Sequence, residues 1–254
     1  MNSAQTYFFT PKWPVFYEDN HLLVVYKPSG LLIQGDRTGD ASLPDLAKQW
    51  IKIRYQKPGK VYLALVHRLD RPVAGVTVFA RTSKAASRLS DQFRSKEVQK
   101  RYLAVVEGLV DKPEEELVDY IQRHGPTSTI KDSPAEESRK ARLYFRVVDR
   151  DRDRSLLEID LFTGRHHQIR AQLANIGFPI VGDLRYGASA PLPQRQLALF
   201  AQKLAFTHPV KKETISIVSP LPMGWPWPGA KQDSDAPPWN WRDFCVFLKH
   251  KGLV

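Results

Sequence analysis

The sequence predicts an α+β fold around a mostly antiparallel or mixed sheet. Three observations point to it. Strand-like and helical segments are interspersed without the regular strand–helix alternation of a doubly wound sheet. Ala141 to Val148 and Leu156 to Leu161 read as the two strands of a hairpin around the charged turn Asp149-Arg150-Asp151-Arg152-Asp153-Arg154. The chain has 254 residues, 42% of them hydrophobic, enough for one large domain or two smaller ones sharing a sheet.

Taken in order, Leu22-Leu23-Val24-Val25-Tyr26 reads as a strand. The turn Lys27-Pro28-Ser29-Gly30 follows, and Leu31-Leu32-Ile33 resumes the apolar pattern. Ser42 to Tyr55 reads as a helix, with Ser42 as N-cap and Leu43, Leu46, Ala47, Trp50 and Ile51 at helical spacing. Val61-Tyr62-Leu63-Ala64-Leu65-Val66 is short and rich in β-branched and aromatic residues, so it is expected to be a buried strand. Val76 to Ala80 is a second such run. Thr82 or Ser83 caps a helix to about Lys96, whose stripe of Ala86, Leu89 and Phe93 reads as core packing. Tyr102 to Val106 alternates like a strand.

Residues 111–139 are polar, with Pro113, Pro126, Pro134 and the run Glu114-Glu115-Glu116, and read as a variable connection that can include a short strand pair. The acidic run reads as a solvated face. After the hairpin, Gly164 and Arg165 lead into a helix through His167, Ile169, Leu173 and Ala174, and Gly177 ends it. Two more strands are expected within 197–218. From Met223 the composition changes: Trp225, Trp227, Trp239 and Trp241 stand among prolines. Because aromatic area is costly to leave in water, this tail is expected to pack back on the domain. The expected organisation is a main domain over 1–222 and a Trp/Pro-rich extension over 223–254.

Lys and Arg number 38 against 27 Asp and Glu, a net charge of +11. Such an excess suits a polyanionic partner, most simply nucleic acid, although many proteins are basic for no specific reason. The single cysteine, Cys245, excludes an internal disulfide framework and a Cys-rich zinc site, and fits a reducing cytoplasm. The start Met1-Asn2-Ser3-Ala4-Gln5-Thr6-Tyr7 lacks the pattern of a signal peptide, and no apolar run approaches the about 20 residues of a membrane span. A soluble cytoplasmic protein is expected.

Several chemistries are missing. There is no phosphate-binding G-x-x-x-x-G-K-[ST] loop, no dinucleotide fingerprint and no G-x-S-x-G elbow. The seven histidines form no H-E-x-x-H, and the adjacent His166 and His167 make a poor metal pair. No cofactor and no metal are expected. What remains is Asp70, in His67-Arg68-Leu69-Asp70-Arg71, with Tyr102 and the cluster Thr163-Gly164-Arg165-His166-His167-Gln168-Ile169-Arg170. A carboxylate among arginines suits nucleophilic or acid–base chemistry, and equally a plain surface ion pair. The cluster offers cations and backbone N–H groups for a phosphate, or is an ordinary basic helix start.

The run His67-Arg68-Leu69-Asp70-Arg71-Pro72-Val73-Ala74-Gly75 resembles the H-R-L-D-x-x-T-S-G signature of the RluA-type pseudouridine synthases. Its neighbours agree in order and spacing. Val25-Tyr26-Lys27-Pro28-Ser29-Gly30 resembles the family's K-P-x-G turn, and Lys100-Arg101-Tyr102-Leu103-Ala104 with Gly108 its K-x-Y-x-A strand. Thr163 to Arg170 is similar to T-G-R-x-H-Q-[IL]-R, Pro179-Ile180-Val181-Gly182-Asp183 with Tyr186 to P-I-x-G-D-x-x-Y, and Thr207-His208-Pro209 to the end of the pattern. Together the matches run from about residue 16 to about residue 222.

The resemblance implies a mixed, largely antiparallel sheet in two halves, with flanking helices and a central catalytic cleft. It implies a cofactor-free isomerase that converts chosen uridines of structured RNA, rRNA or tRNA, to pseudouridine. Asp70 matches the nucleophile, which attacks a flipped-out uridine. Tyr102 matches the residue that stacks on the uracil and takes its C5 proton, and Arg170 the cation that pairs with the nucleophile. Arg68 matches an arginine that fills the gap left by the flipped base; Arg165, His167 and Gln168 are the further residues expected to contact RNA. The expected partner is RNA alone, with no membrane, and the protein a monomer.

The chain also departs from the pattern. Val73 and Ala74 replace the usual Thr-Ser, Phe200 stands where His is common, and Leu143 where Thr is frequent. If those hydroxyls brace the loop, the brace here is different. No N-terminal S4-type RNA-binding domain is expected before the catalytic pattern. Two other readings stay open at this point: a catalytically silent RNA-binding or chaperone protein on the same fold, and another carboxylate enzyme such as a glycosidase, which needs a second poised acid.

Overall fold

The computed structural model describes residues 15–36, 39–131, 133–228 and 236–250. The N-terminal stretch assessed above for a signal peptide lies outside them. In chain order the elements are β1 (Val15–Glu18), β2 (Leu22–Lys27), α1 (Leu43–Arg54), β3 (Ala64–Leu65), β4 (Ala74–Ala80), α2 (Ser83–Arg94) and β5 (Gln99–Glu107). Then come β6 (Glu114–His124), β7 (Thr127–Lys131), β8 (Arg139–Asp151), β9 (Arg154–Leu161), α3 (Gln168–Asn175), β10 (Leu199–Thr207), β11 (Thr214–Val218) and α4 (Trp241–His250). The strands pair largely antiparallel and helices are few, so the chain adopts the α+β class predicted for it. Among the described residues no helix is long and apolar enough to cross a membrane.

The chain divides into two compact units. The first takes Met1–Val98, Leu204–Gly224 and Lys231–Val254; the second takes Gln99–Lys203 and Trp225–Ala230.

In the first unit β2 and β4 pair antiparallel from Leu22 opposite Ala80 to Lys27 opposite Gly75, and every residue of both strands is buried. Burial on both faces explains why both read as continuous apolar runs instead of alternating ones. Leu22, Val24, Val76 and Val78 pack with Leu89 of α2 and with Leu204, Phe206 and Ile215. The Thr82 hydroxyl caps α2, accepting from the Ala85 N–H at 3.2 Å. Ser42 takes the N-cap position of α1, but its hydroxyl donates to Asp45 at 2.6 Å.

One expectation fails here. Of Val61–Val66 only Ala64–Leu65 forms a strand, paired with Ala80 and Phe79 at the far end of β4. Tyr62 is exposed. Apolar composition does not make a strand without a partner edge, and β4 offers this segment only its last two positions.

In the second unit the strand order is β5-β9-β8-β6-β7, antiparallel throughout. Here the structure corrects the sequence again. Residues 111–139 do hold a strand pair, β6 with β7, but it is more than a short one, because β6 is eleven residues long and also pairs with β8. Only Leu117 and Ile121 of β6 are buried while Val118 is exposed, too sparse an alternation to identify a strand. The acidic run lies on β6, where Glu114 accepts from the Tyr144 hydroxyl and Glu116 from Arg142. The expected β8–β9 hairpin forms, with strands that extend inward to Asp151 and Arg154.

Helix α3 starts at Gln168, later than expected, and Gly177 follows it at φ 89, the left-handed conformation that suits a helix stop. In the tail, Trp225, Trp227 and Trp239 are buried. Trp227 Nε1 donates to Asp149 at 3.3 Å within the second unit.

Candidate active site

Asp70 stands in the loop between β3 and β4, half-buried, with Arg68 and Arg71 exposed beside it. The loop is held from several sides within the first unit. His67, at its entry, accepts the Val78 N–H at 3.1 Å through Nε2 and stacks on Phe93 at 4.8 Å. An imidazole nitrogen that accepts carries no proton, so the ring's proton sits on Nδ1. The Val73 N–H closes the loop back on the Asp70 carbonyl at 3.0 Å.

The main brace is the turn Lys27-Pro28-Ser29-Gly30. Lys27 extends β2 inward and is completely buried. Its ammonium donates to the carbonyls of Val73 at 2.7 Å, Arg71 at 3.1 Å, Asp70 at 3.2 Å and Pro28 at 3.2 Å. The Ser29 hydroxyl donates to Pro72 O at 2.8 Å, and the Gly30 N–H to Arg71 O at 2.8 Å. Each carbonyl from residue 70 to residue 73 therefore receives a bond from this turn. Gly30 sits at φ 88, a conformation that disfavours a side chain. Burial pushes the Lys27 ammonium down to about 7; the negative charge of Asp70 works against this shift and the Arg71 guanidinium adds to it.

Arg71 points elsewhere. Its Nε donates to Gly30 O at 3.0 Å and its Nη2 to Asp40 at 2.7 Å. The K-P-x-G turn was legible as a motif, but sequence reasoning gave Lys27 and Ser29 no role. The available signal was a lysine continuing a five-residue apolar strand, a position that is buried with it.

The other candidates lie in the second unit. Tyr102 is buried on β5, opposite Ile159 of β9. Arg170, on α3, is buried and grips Asp183 with two parallel bonds, Nε to Oδ2 at 2.6 Å and Nη2 to Oδ1 at 2.8 Å. Its guanidinium also lies 4.9 Å from the Tyr186 ring centre. Asp183 is 1% exposed, so this is a desolvated ion pair that fixes the arginine's plane. Asp183 was legible as part of a motif, not as the partner of Arg170.

Gln168 is buried, and its amide is spent inside the loop that precedes α3. Its Oε1 accepts from the Thr163 hydroxyl at 2.7 Å and the Arg165 N–H at 3.1 Å, and its Nε2 donates to Gln172 at 2.9 Å. The Gln168 amide thus organises the loop itself. His166 and His167 precede the helix, and a φ of 53 at His167 lets their rings stack at 3.8 Å. His167 Nδ1 lies 2.9 Å from the Tyr186 hydroxyl, and His166 Nδ1 2.9 Å from Ser128 Oγ. Arg165 is exposed at the loop's surface. Near it Lys100 Nζ reaches Thr163 O at 3.5 Å, and burial, then the charge of Arg165, push this lysine down to about 8.

Close packing also explains Gly182, at φ 88 just before Asp183. A Cβ there would lie 2.6 Å from the Gln196 carbonyl.

Comparison with known proteins gives these residues a context. The family model described as RNA pseudouridylate synthase matches residues 21–175. The chain is 35% identical over 231 residues to "Ribosomal large subunit pseudouridine synthase D" of Xanthomonas campestris pv. campestris, covering 82% of this chain and 66% of that one. It is 34% identical over 218 residues to "Ribosomal large subunit pseudouridine synthase C" of Buchnera aphidicola subsp. Schizaphis graminum, covering 82% and 67%. The chain thus spans just under two thirds of the Xanthomonas relative. Among solved structures, "Human RNA Pseudouridylate Synthase Domain Containing 4" superposes with a TM-score of 0.71 at 23% identity, over 82% of this chain and 88% of that one. That likeness extends the match to the fold. The motif order, the antiparallel fold and a family match over more than half of the chain converge, and the chain belongs to the RNA pseudouridylate synthase family.

Proposed function

We propose that this protein isomerises specific uridines of structured RNA to pseudouridine, with Asp70 as the nucleophile on a flipped-out uridine. The reaction breaks the N1–C1′ glycosidic bond and forms a C5–C1′ bond. The C5 proton is lost and N1 gains one, so no cofactor is required. A base inside a stack cannot be reached by a carboxylate, and its extrusion has to be offset by new stacking and hydrogen bonds. Tyr102, buried on β5, supplies the aromatic face and the base for the C5 proton. Arg170, whose guanidinium Asp183 orients, is the cation that the family resemblance assigns to the nucleophile.

The observation that carries this reading is the fixed loop around Asp70. Every carbonyl from 70 to 73 is bonded by the 27–30 turn, so the carboxylate is presented on a rigid backbone, as nucleophilic attack requires. Arg68 and Arg165, both exposed, serve the RNA backbone and the displaced stack, in keeping with a net charge of +11. His167 and Gln168 serve RNA indirectly, by shaping the loop that presents Arg165. The names of the two bacterial relatives favour large-subunit ribosomal RNA over tRNA as the substrate. We place the protein in the cytoplasm as a monomer, where the single Cys245 meets reducing conditions.

The test is complementation. Pseudouridines are mapped in total RNA from cells with the gene, without it, and with Asp70→Ala. The expected result is one or a few sites lost in the knockout and not restored by Asp70→Ala. Sites restored by that variant, or none lost in the knockout, would overturn the reading and favour a silent RNA-binding protein.

A further inference from the structure

The residues that brace the Asp70 loop are themselves held by the C-terminal tail. Pro238–Trp241 runs alongside the Lys27–Gly30 turn inside the first unit. The Ser29 N–H donates to Trp239 O at 2.9 Å, and the Trp241 N–H donates to Ser29 O at 2.8 Å, with Asn240 as the parallel bridge partner of Ser29. The Tyr26 hydroxyl adds a bond to Pro238 O at 3.1 Å. Ser29 is 1% exposed, so the tail, not water, satisfies both of its main-chain groups.

The tail is well built at this point. The Asn240 side chain accepts the Asp243 N–H at 2.8 Å and so caps α4, and Phe244 on the first turn of α4 is 1% exposed. The segment touching Ser29 is thus the start of a packed helix.

From Ser29 the connection to the loop is direct. Its hydroxyl donates to Pro72 O at 2.8 Å, and the next residue, Gly30, donates to Arg71 O at 2.8 Å. Two hydrogen-bond steps separate Trp241 from the residues that follow Asp70. The family match ends at residue 175, well before this segment.

We propose that Pro238–Trp241 is a positioning element for the loop that carries Asp70, acting through Ser29. This rests on the reading of Asp70 as nucleophile. The tail sets where the Asp70 backbone sits by fixing the turn that holds it.

The test uses the full-length chain and total RNA tritiated at uridine C5, taken from cells lacking the gene. Tritium release is followed at saturating enzyme, and RNA affinity is measured separately. Trp241 is the first residue of α4, where proline is tolerated, so Trp241→Pro deletes the N–H that reaches Ser29 O. Trp241→Ala removes the same ring and keeps that N–H. Trp241→Pro is expected to release tritium about tenfold more slowly than Trp241→Ala, with RNA affinity equal within about twofold, because a small displacement of a reacting group acts on rate and not on binding. Ser29→Ala is expected to slow release in the same manner.

Equal rates for Trp241→Pro and Trp241→Ala would overturn the inference, even if their melting temperatures differ. Should Trp241→Pro fail to fold, Ser29→Ala decides, and an unchanged rate there overturns it. Asp70→Ala in the same assay keeps the two readings apart. If it still releases tritium, the assignment of the nucleophile has failed, and this inference with it. If it is inactive while the two Trp241 variants match, only the role of the tail has failed.

Discussion

The Lys27 ammonium donates to the Val73 carbonyl at 2.7 Å, from inside the protein and with no exposure to solvent. Its three N–H groups serve four carbonyls, three of them in the loop that bears Asp70. The loop is thus braced even though Val73-Ala74 stand in place of the Thr-Ser of the signature it resembles. Both side chains are buried, at 2% and 0% exposure, and the loop's carbonyls are held by Lys27 and Ser29.

Restoring the hydroxyls should therefore bring no benefit. The double variant Val73→Thr, Ala74→Ser is expected to lose about 1–3 kcal/mol of stability through buried, poorly paired hydroxyls, with no gain in rate. Denaturant unfolding and tritium release check it; a faster double variant would show that the loop lacks a brace.

Lys27 also sets a pH dependence with a definite sign. Its folded pKa is lowered to about 7, so above that pH the unfolded chain binds more protons than the folded one. The contribution of Lys27 to stability is least favourable below about 7, and it rises with pH through the interval up to the ordinary lysine value. The stability of wild type relative to Lys27→Met should grow by on the order of 1 kcal/mol per pH unit between pH 7 and 9. Urea unfolding of both proteins across that range tests it, and a flat difference would refute the depressed ammonium.

Asp183→Asn removes the carboxylate that grips the buried Arg170 with two parallel bonds. Breaking such a pair from one side costs about 3–5 kcal/mol, so a large drop in melting temperature is expected. Arg170→Lys should also be poorly tolerated, since a lysine cannot make the parallel pair of bonds to Asp183. Thermal unfolding of both variants reads this out; a loss below about 1 kcal/mol would mean that the pair is replaceable.

RNA affinity should separate the exposed cations from the buried loop residues. Arg68→Gln and Arg165→Gln are each expected to lower the slope of log affinity against log salt by about 1. Gln168→Ala should leave that slope unchanged, because its amide is spent on Thr163, Arg165 and Gln172. Filter binding at several salt concentrations distinguishes them.

The fold was legible where local pattern and final environment coincide. Leu22–Tyr26 and Val76–Ala80 read as buried strands because each is apolar on both faces, and the sheet buries both. Thr82 and the Leu89 stripe marked α2 for the same reason. β6 was missed because Leu117 and Ile121 are its only buried apolar residues, and its pairing with β8 is a non-local fact. Val61–Val66 misled in the opposite direction: the residues suit a strand, but only two of them find an edge.

By itself the sequence determined the chemistry on offer: one acid in an H-R-L-D run, an aromatic in K-x-Y, an arginine in T-G-R-x-H-Q-I-R, and their order along the chain. Side-chain identity and local spacing suffice for that. Only the tertiary structure decided how those groups are held. Lys27 reaches across 46 residues to Val73, Arg170 across 13 to Asp183, and the Tyr26 hydroxyl across 212 to Pro238. Burial makes each of these bonds necessary, because a polar group removed from water must find a partner. No local pattern states which partner that will be.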